Sequence, residues 1–181
     1  MSAVAIPLDA IDWHGRDGLR YRARLRDGVL VFKPRIRSLR DLVVWTSGKA
    51  NYYISKLLNQ FWNAASFSFP GTLYMALWTA TLSASSTGST AGEASYTGYA
   101  RVAVTANTTN FPTSSGGGNI QNATQISFAA NGGSLQTMTY FAVLDASSTG
   151  NLLYWGSITS TAINPGDTPV VAVNGLTASE A

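Results

Sequence analysis

Charge is segregated along this chain so sharply that its two ends face different folding problems. Residues 1 to 46 hold nine of the twelve Lys and Arg residues, whereas 63 to 181 contain five charged side chains, Glu93, Arg101, Asp145, Asp167 and Glu180. The second stretch is rich in Ser, Thr, Ala, Gly and Asn. With so little electrostatic repulsion to hold neighbours apart, it suits a subunit built for assembly. A basic, strand-forming arm attached to such a body is expected to dock, and the body to pack.

At 181 residues and 45% hydrophobic content the chain fits one ordinary domain plus an extension and can bury a sizeable core. The net charge of +3 arises in the arm: residues 1 to 46 carry nine basic and five acidic groups (+4), and 47 to 181 carry three and four (−1). Whole-chain charge is therefore a poor guide to partners. There are no cysteines, which excludes disulfides, thiolate nucleophiles and Cys-based metal sites. Met1 to Pro7 is apolar, but Asp9 and Asp12 follow it in place of a small-residue cleavage site, so it does not read as a signal peptide. No run approaches the ~18 apolar residues of a membrane helix. The expectation is a cytosolically made, soluble product with no membrane association, no metal and no cofactor.

In the arm, Leu19, Tyr21, Ala23 and Leu25 alternate with Arg20, Arg22, Arg24 and Arg26, which sets four guanidinium groups on one face of a strand. Asp27-Gly28 supplies a turn, and Val29 to Phe32 continues as the second strand of a hairpin until Pro34 ends it. Two strands alone are marginal in water. The Arg row, continued by Lys33, Arg35, Arg37 and Arg40, is read as docking onto an acidic surface, with a solvated face as the alternative. No aromatic interleaving, helix-turn-helix or zinc-finger spacing accompanies it, so sequence-specific nucleic-acid reading is not expected.

A helix is predicted next, with Ser47 as N-cap and Ala50, Tyr53, Ile54, Leu57, Leu58 and Phe61 as one apolar stripe reaching about Trp62. Burying Ile54, Leu57, Leu58 and Phe61 would stabilise the fold by roughly 1.5 to 3 kcal/mol each, so packing against the following sheet should decide this helix. Pro70-Gly71 closes the connection. Beyond it the chain reads as all-β, with strands at Leu73 to Trp78, Tyr99 to Val104, Gln125 to Phe128, Thr137 to Leu144, Leu152 to Ile158 and Val170 to Val173. Between them lie turn signals such as Asn131-Gly132-Gly133 and Asn164-Pro165-Gly166-Asp167, and Ser83 to Gly98 reads as a low-complexity, mobile loop. The fold class is mainly β: an antiparallel, jelly-roll-like sandwich with one N-terminal amphipathic helix and an extended basic arm. The expected organisation is an arm at 1–46, helix and connection at 47–69, and body at 70–181.

An ordered set of segments carries a family resemblance: Ser47-Gly48-Lys49-Ala50 to Leu57-Leu58-Asn59, Thr72-Leu73-Tyr74-Met75-Ala76-Leu77-Trp78-Thr79, Gly98-Tyr99-Ala100-Arg101, Tyr140-Phe141-Ala142-Val143-Leu144-Asp145, Gly150-Asn151-Leu152-Leu153-Tyr154-Trp155-Gly156 and Asn164-Pro165-Gly166-Asp167-Thr168. Over about residues 47 to 177 the chain resembles small bacteriophage virion proteins commonly labelled tail fibre proteins. The resemblance implies a non-enzymatic structural role in a phage particle, with other virion proteins, of the tail or baseplate or the major capsid protein, as partners. The basic arm departs from the family pattern. Long extensions are also typical of capsid decoration or cement proteins that stabilise the shell, so that reading stands beside the tail one. A symmetric homo-oligomer, such as a trimer, is expected.

Catalytic constellations are thin. His14 is the single histidine, far in sequence from the body, and reads as an arm-packing residue. Asp145 and Asp167 sit in turn sequences where Asp caps its own backbone, which outweighs a glycosidase pair. Gly116-Gly117-Gly118 lacks the Lys-Ser/Thr of a phosphate loop. Trp78, Tyr154 and Trp155 are the candidate platform for a glycan-binding receptor protein, although their apolar neighbours favour core packing.

Overall fold

The computed structural model describes residues 12–14, 20–26, 29–34, 39–42, 44–45, 48–114 and 118–179, with side chains at Leu42 and from Gly48 onward. Two compact units divide the chain, Met1–Leu39 and Arg40–Ala181. In the first, β1 (Asp12–His14), β2 (Arg20–Arg26) and β3 (Val29–Pro34) form an antiparallel sheet in that order. The β2–β3 register runs from Tyr21 opposite Pro34 to Arg26 opposite Val29, so the expected hairpin is present and gains a third strand.

The second unit is built on a five-stranded antiparallel sheet. Its strands are β6 (Gly48–Lys49), β7 (Thr72–Trp78), β8 (Val102–Thr105), β11 (Gln136–Leu144) and β12 (Leu152–Ile163), in the order β6-β12-β11-β7-β8. Two smaller sheets accompany it. One orders β10 (Ile126–Ser127), β13 (Thr168–Val171) and β4 (Leu39–Asp41), and the other β5 (Val44–Trp45), β14 (Leu176–Ser179) and β9 (Asn119–Gln121). The β5–β14 pair is parallel, the exception among the described pairings. Met75, Leu77, Phe141, Val143 and Leu153 from the large sheet share one core with Ile126, Val171 and Leu176 from the small ones, which makes the body a mainly β, sandwich-like fold.

The opposite face of the large sheet is buried as well. Ala76, Trp78, Ala142, Leu144 and Leu152 pack there with Ala50 and Leu82. That double coverage explains why β7 reads as an unbroken apolar run instead of an alternating one. In β11 the register slips between Met138 and Tyr140, and Met138 joins the core of Phe141 and Val143 three and five residues further on.

The segment that covers the second face is the one read from sequence as a mobile loop. Residues 79–98 are instead tied down along their length: Thr79 N–H donates to Gly92 O (2.7 Å), Gly88 N–H to Gly150 O (3.0 Å), and Ala94 N–H to Leu77 O (2.9 Å). Leu82, Ala94 and Tyr96 are buried. Small Ser, Thr and Gly residues here serve backbone pairing and close approach, not flexibility.

Helix α1 spans Asn51–Asn63. It starts four residues beyond the expected Ser47 cap, which lies outside the described residues, because Gly48–Lys49 pair with Trp155 and Tyr154 of β12 as a sheet-edge strand. Ala50 is the N-cap and has no side-chain cap bond; Asn51 N–H donates to Ala84 O at 2.8 Å instead. The covering loop thus satisfies one of the free N–H groups of the helix's first turn. At the other end Ala64 adopts a left-handed conformation (φ 53°) and its N–H bonds Asn59 O.

The expected burial of the helix stripe is corrected. No helix residue is buried. Tyr52 and Tyr53 lean on the core, but Leu58, Phe61 and Trp62 are exposed, the last two at 79% and 75%. Cover is confined to the first half of the helix: Tyr53 packs on Tyr154 of β12 (5.2 Å), Tyr52, Ile54 and Leu57 are partly buried, and residues 58–63 are exposed.

Backbone contact between residues 88 and 149 offers a sharp test of the loop packing. A Cβ on Gly88 would fall 1.7 Å from Thr149 O, whereas one on Gly71 would meet nothing within 4 Å. Gly88→Ala should therefore cost about 2 to 4 kcal/mol in chemical unfolding and Gly71→Ala no more than about 0.5 kcal/mol. Equal stabilities for the two variants would mean the loop does not sit where it is described.

Candidate functional site

Three places could carry function: the cationic sheet of the first unit, the charged groups of the body, and its aromatic side chains. The strands place the predicted docking residues as follows. Arg20, Arg22, Arg24 and Arg26 all fall in β2, Lys33 in β3 and Arg40 in β4; Arg35 and Arg37 lie outside the described residues. Register sets Arg22 across from Asp12 on one side and Lys33 on the other, and Arg20 across from His14. In that sheet the cations therefore lie on β2 and β3, and β1 sets Asp12 and His14 opposite them.

In the body the charges point inward to structure. Arg101 is 3% exposed and all five of its guanidinium N–H directions are used. Nε donates to Glu93 Oε1 (2.7 Å) and Nη2 to Glu93 Oε2 (2.8 Å), a bidentate pair. Nη1 donates to the carbonyls of Ala146 and Thr149 (both 2.8 Å), and Nη2 also to Gly88 O (2.9 Å). Tyr99 extends this node: its hydroxyl donates to Glu93 Oε1 (3.2 Å) and accepts from Leu77 N–H (3.1 Å). Burial pushes the Tyr99 phenol strongly up, with the neighbouring Glu93 carboxylate adding to the shift, and burial alone raises Tyr96 to about 12. Neither is poised for proton transfer near neutral pH.

Asp145 accepts from Asn151 N–H and Nδ2 (both 2.7 Å), and Asp167 Oδ2 accepts from Asn164 N–H and Nδ2 (both 3.0 Å). Both carboxylates brace turns, as their sequence setting suggests. Among the described residues no three His, Asp or Glu side chains gather as a metal site. A cavity of about 360 Å³ opens between the sheets, lined by Leu73, Met75, Phe111, Ile120, Val143 and Tyr154 among others. Its lining is mostly apolar, with Asn107, Thr108 and Tyr154 as the residues that carry polar side-chain groups.

Of the candidate glycan platform, Trp78 is fully buried, with Arg101 5.9 Å over its ring and Nε1 donating to Thr90 O (3.2 Å). Its place in the second core leaves no ring face for a sugar. Tyr154 and Trp155 are partly buried; Tyr154 packs at 5.2 Å against Tyr53, and Trp155 at 6.2 Å against Tyr140. The structure does not bring the three together on one surface. What the sequence reading missed is the Arg101 node. Its one signal was two opposite charges, eight residues apart, alone in a neutral body.

The node invites a direct test. Arg101→Met leaves the Glu93 carboxylate and three carbonyls without their partner, and should cost about 3 kcal/mol, the lower end of the range for broken buried pairs because Glu93 keeps 25% exposure. Adding Glu93→Met should restore part of that loss in thermal unfolding. A double variant no better than the single one would show that the carbonyl contacts, not the pair, dominate.

No curated protein matches the chain. The family model described as podophage GP4 fiber I protein gp80 matches residues 48–179, and residues 1–47 lie outside that match. With a matched span that takes in the helix, the large sheet and the Arg101 node, the chain belongs to the podophage GP4 fiber I protein gp80 family, a family of phage fibre proteins.

Proposed function

We propose that this protein is a non-enzymatic structural component of a phage fibre, which oligomerises through its body and docks on neighbouring virion proteins through its basic N-terminal residues. The observation that carries the reading is the family match over 48–179, joined to the internal use of each described charge in residues 63–179. A body whose ionisable groups are consumed by its own turns has little left for acid–base chemistry. Its remaining surface is polar, uncharged and turn-rich, which suits packing against sister subunits.

The docking role falls to the residues outside the family match. Arg20, Arg22, Arg24 and Arg26 share one strand, and Lys33 pairs across from Arg22. Like charges opposite one another on a sheet repel, so such a row gains most when an acidic protein surface lies against it. Synthesis in the host cytoplasm and incorporation into the particle complete the proposal. The fibre description of the family favours the tail over the capsid-cement alternative, and low copy number per particle would agree with it.

Replacing Arg20, Arg22, Arg24 and Arg26 together by Ala should leave the thermal unfolding of the body unchanged while depleting the protein from purified particles by at least about tenfold. Wild-type levels of the fourfold variant in particles would refute docking through this strand.

A further inference from the structure

We propose that the exposed aromatic end of α1 is the contact through which one copy of this chain meets the same helix of a second copy. This inference deepens the oligomer reading above and rests on it. Leu58, Phe61, Trp62 and Phe69 are 51%, 79%, 75% and 52% exposed, and the six large hydrophobics exposed in the described chain include all four. Phe61 and Trp62 stack edge to face at 5.1 Å at the helix end, whereas Phe69 packs on Phe67 (4.8 Å) and Tyr53 (6.4 Å) near the helix start, so Leu58, Phe61 and Trp62 form the patch.

Its size is informative. At the ~150 to 250 Å² that a large side chain can bury, Leu58, Phe61 and Trp62 at these exposures offer on the order of 450 Å². That is more than half of the ~800 Å² per partner in a stable interface, and it matches the largest apolar patches found on monomers, which are often functional. Ile54, Leu58 and Phe61 are spaced four and three apart, the interval of a seam between paired helices.

Charge selects the occupant. The helix has one ionisable cation, Lys56, and its ammonium lies 5.4 Å from the Tyr52 ring. Beside the patch on the helix stand Ser55 and Asn59, both polar and uncharged. Two identical copies of such a face meet without like-charge repulsion, and the rim can exchange amide hydrogen bonds. An acidic or basic partner would find nothing to pair with. A membrane surface would lack the flanking Lys and Arg that interfacial helices use.

The absence of cysteine from the chain makes the contact testable with a single introduced thiol. Full-length Ser55→Cys, one turn before Leu58 and two before Trp62 on the same stripe, should form a disulfide-linked species under mild oxidation, whereas Ser148→Cys, on an exposed turn elsewhere, should not. In sedimentation velocity, Phe61→Ser with Trp62→Ser should weaken self-association by at least about 100-fold, as expected for losing two aromatic anchors. Both side chains are exposed, so the variant's melting curve should stay close to that of the wild-type subunit. If the variant associates as tightly as wild type and Ser55→Cys does not cross-link, the helix contact is overturned while the oligomer reading survives. If the wild-type chain is monomeric at every concentration, the oligomer reading fails and takes this contact with it. A monomer whose tryptophan emission shifts on adding neutral phosphatidylcholine vesicles would overturn the contact in favour of a lipid surface.

Discussion

The bidentate Arg101–Glu93 pair holds the body in its shape. A buried ion pair contributes little net stability by itself, because desolvation offsets most of the attraction. Its effect is on geometry. By donating to Gly88, Ala146 and Thr149 as well as to Glu93, one guanidinium joins the covering segment 79–98 to the β11–β12 turn. The covering segment then seals Trp78, Leu144 and Leu152 from water. Without that seal β7 and β11 would expose a second apolar face, and their composition would be a liability.

Elsewhere the same job falls to buried asparagines. Asn122 is 1% exposed; its Nδ2 donates to Thr124 O and Ala172 O, and its Oδ1 accepts from Leu176 N–H. Asn131 does likewise with Ser134 O, Ile163 O and Gly133 N–H. Each side chain stands in for a short piece of ladder, joining turns that regular pairing does not reach. A body can be nearly free of charge because amides, not ions, satisfy its buried backbone.

These two devices mark the limit of what the residues disclose on their own. The long apolar runs 73–78 and 137–144 were legible as core strands, because a continuous run bounded by turn residues has few other uses. The turns at Asp145 and Asp167 were legible for the same local reason. Strands β9 and β14 were not, since three or four residues of mixed polarity acquire their pairing only from each other. Segment 79–98 was misread because Ser, Thr and Gly look alike whether they are solvated or hydrogen-bonded to a neighbouring chain segment. Helix periodicity located α1 correctly yet said nothing of how far it would overlap the sheet, which depends on where β12 ends.

Amphipathicity therefore has two meanings in this chain. In β7 and β11 an apolar side is a side that the same chain covers, and Met75 to Trp78 and Phe141 to Leu144 are all buried there. At the end of α1 the apolar side has no cover from its own body, and Phe61 and Trp62 stay in water at a cost of roughly 1.5 to 3 kcal/mol of unrealised burial each. On the proposed reading the two recognition elements do not compete. The cationic row of β2 selects an acidic surface and weakens as salt rises, whereas an uncharged aromatic contact is indifferent to salt. A fibre subunit using both could join its own kind and its attachment point independently, each by a chemistry the other lacks.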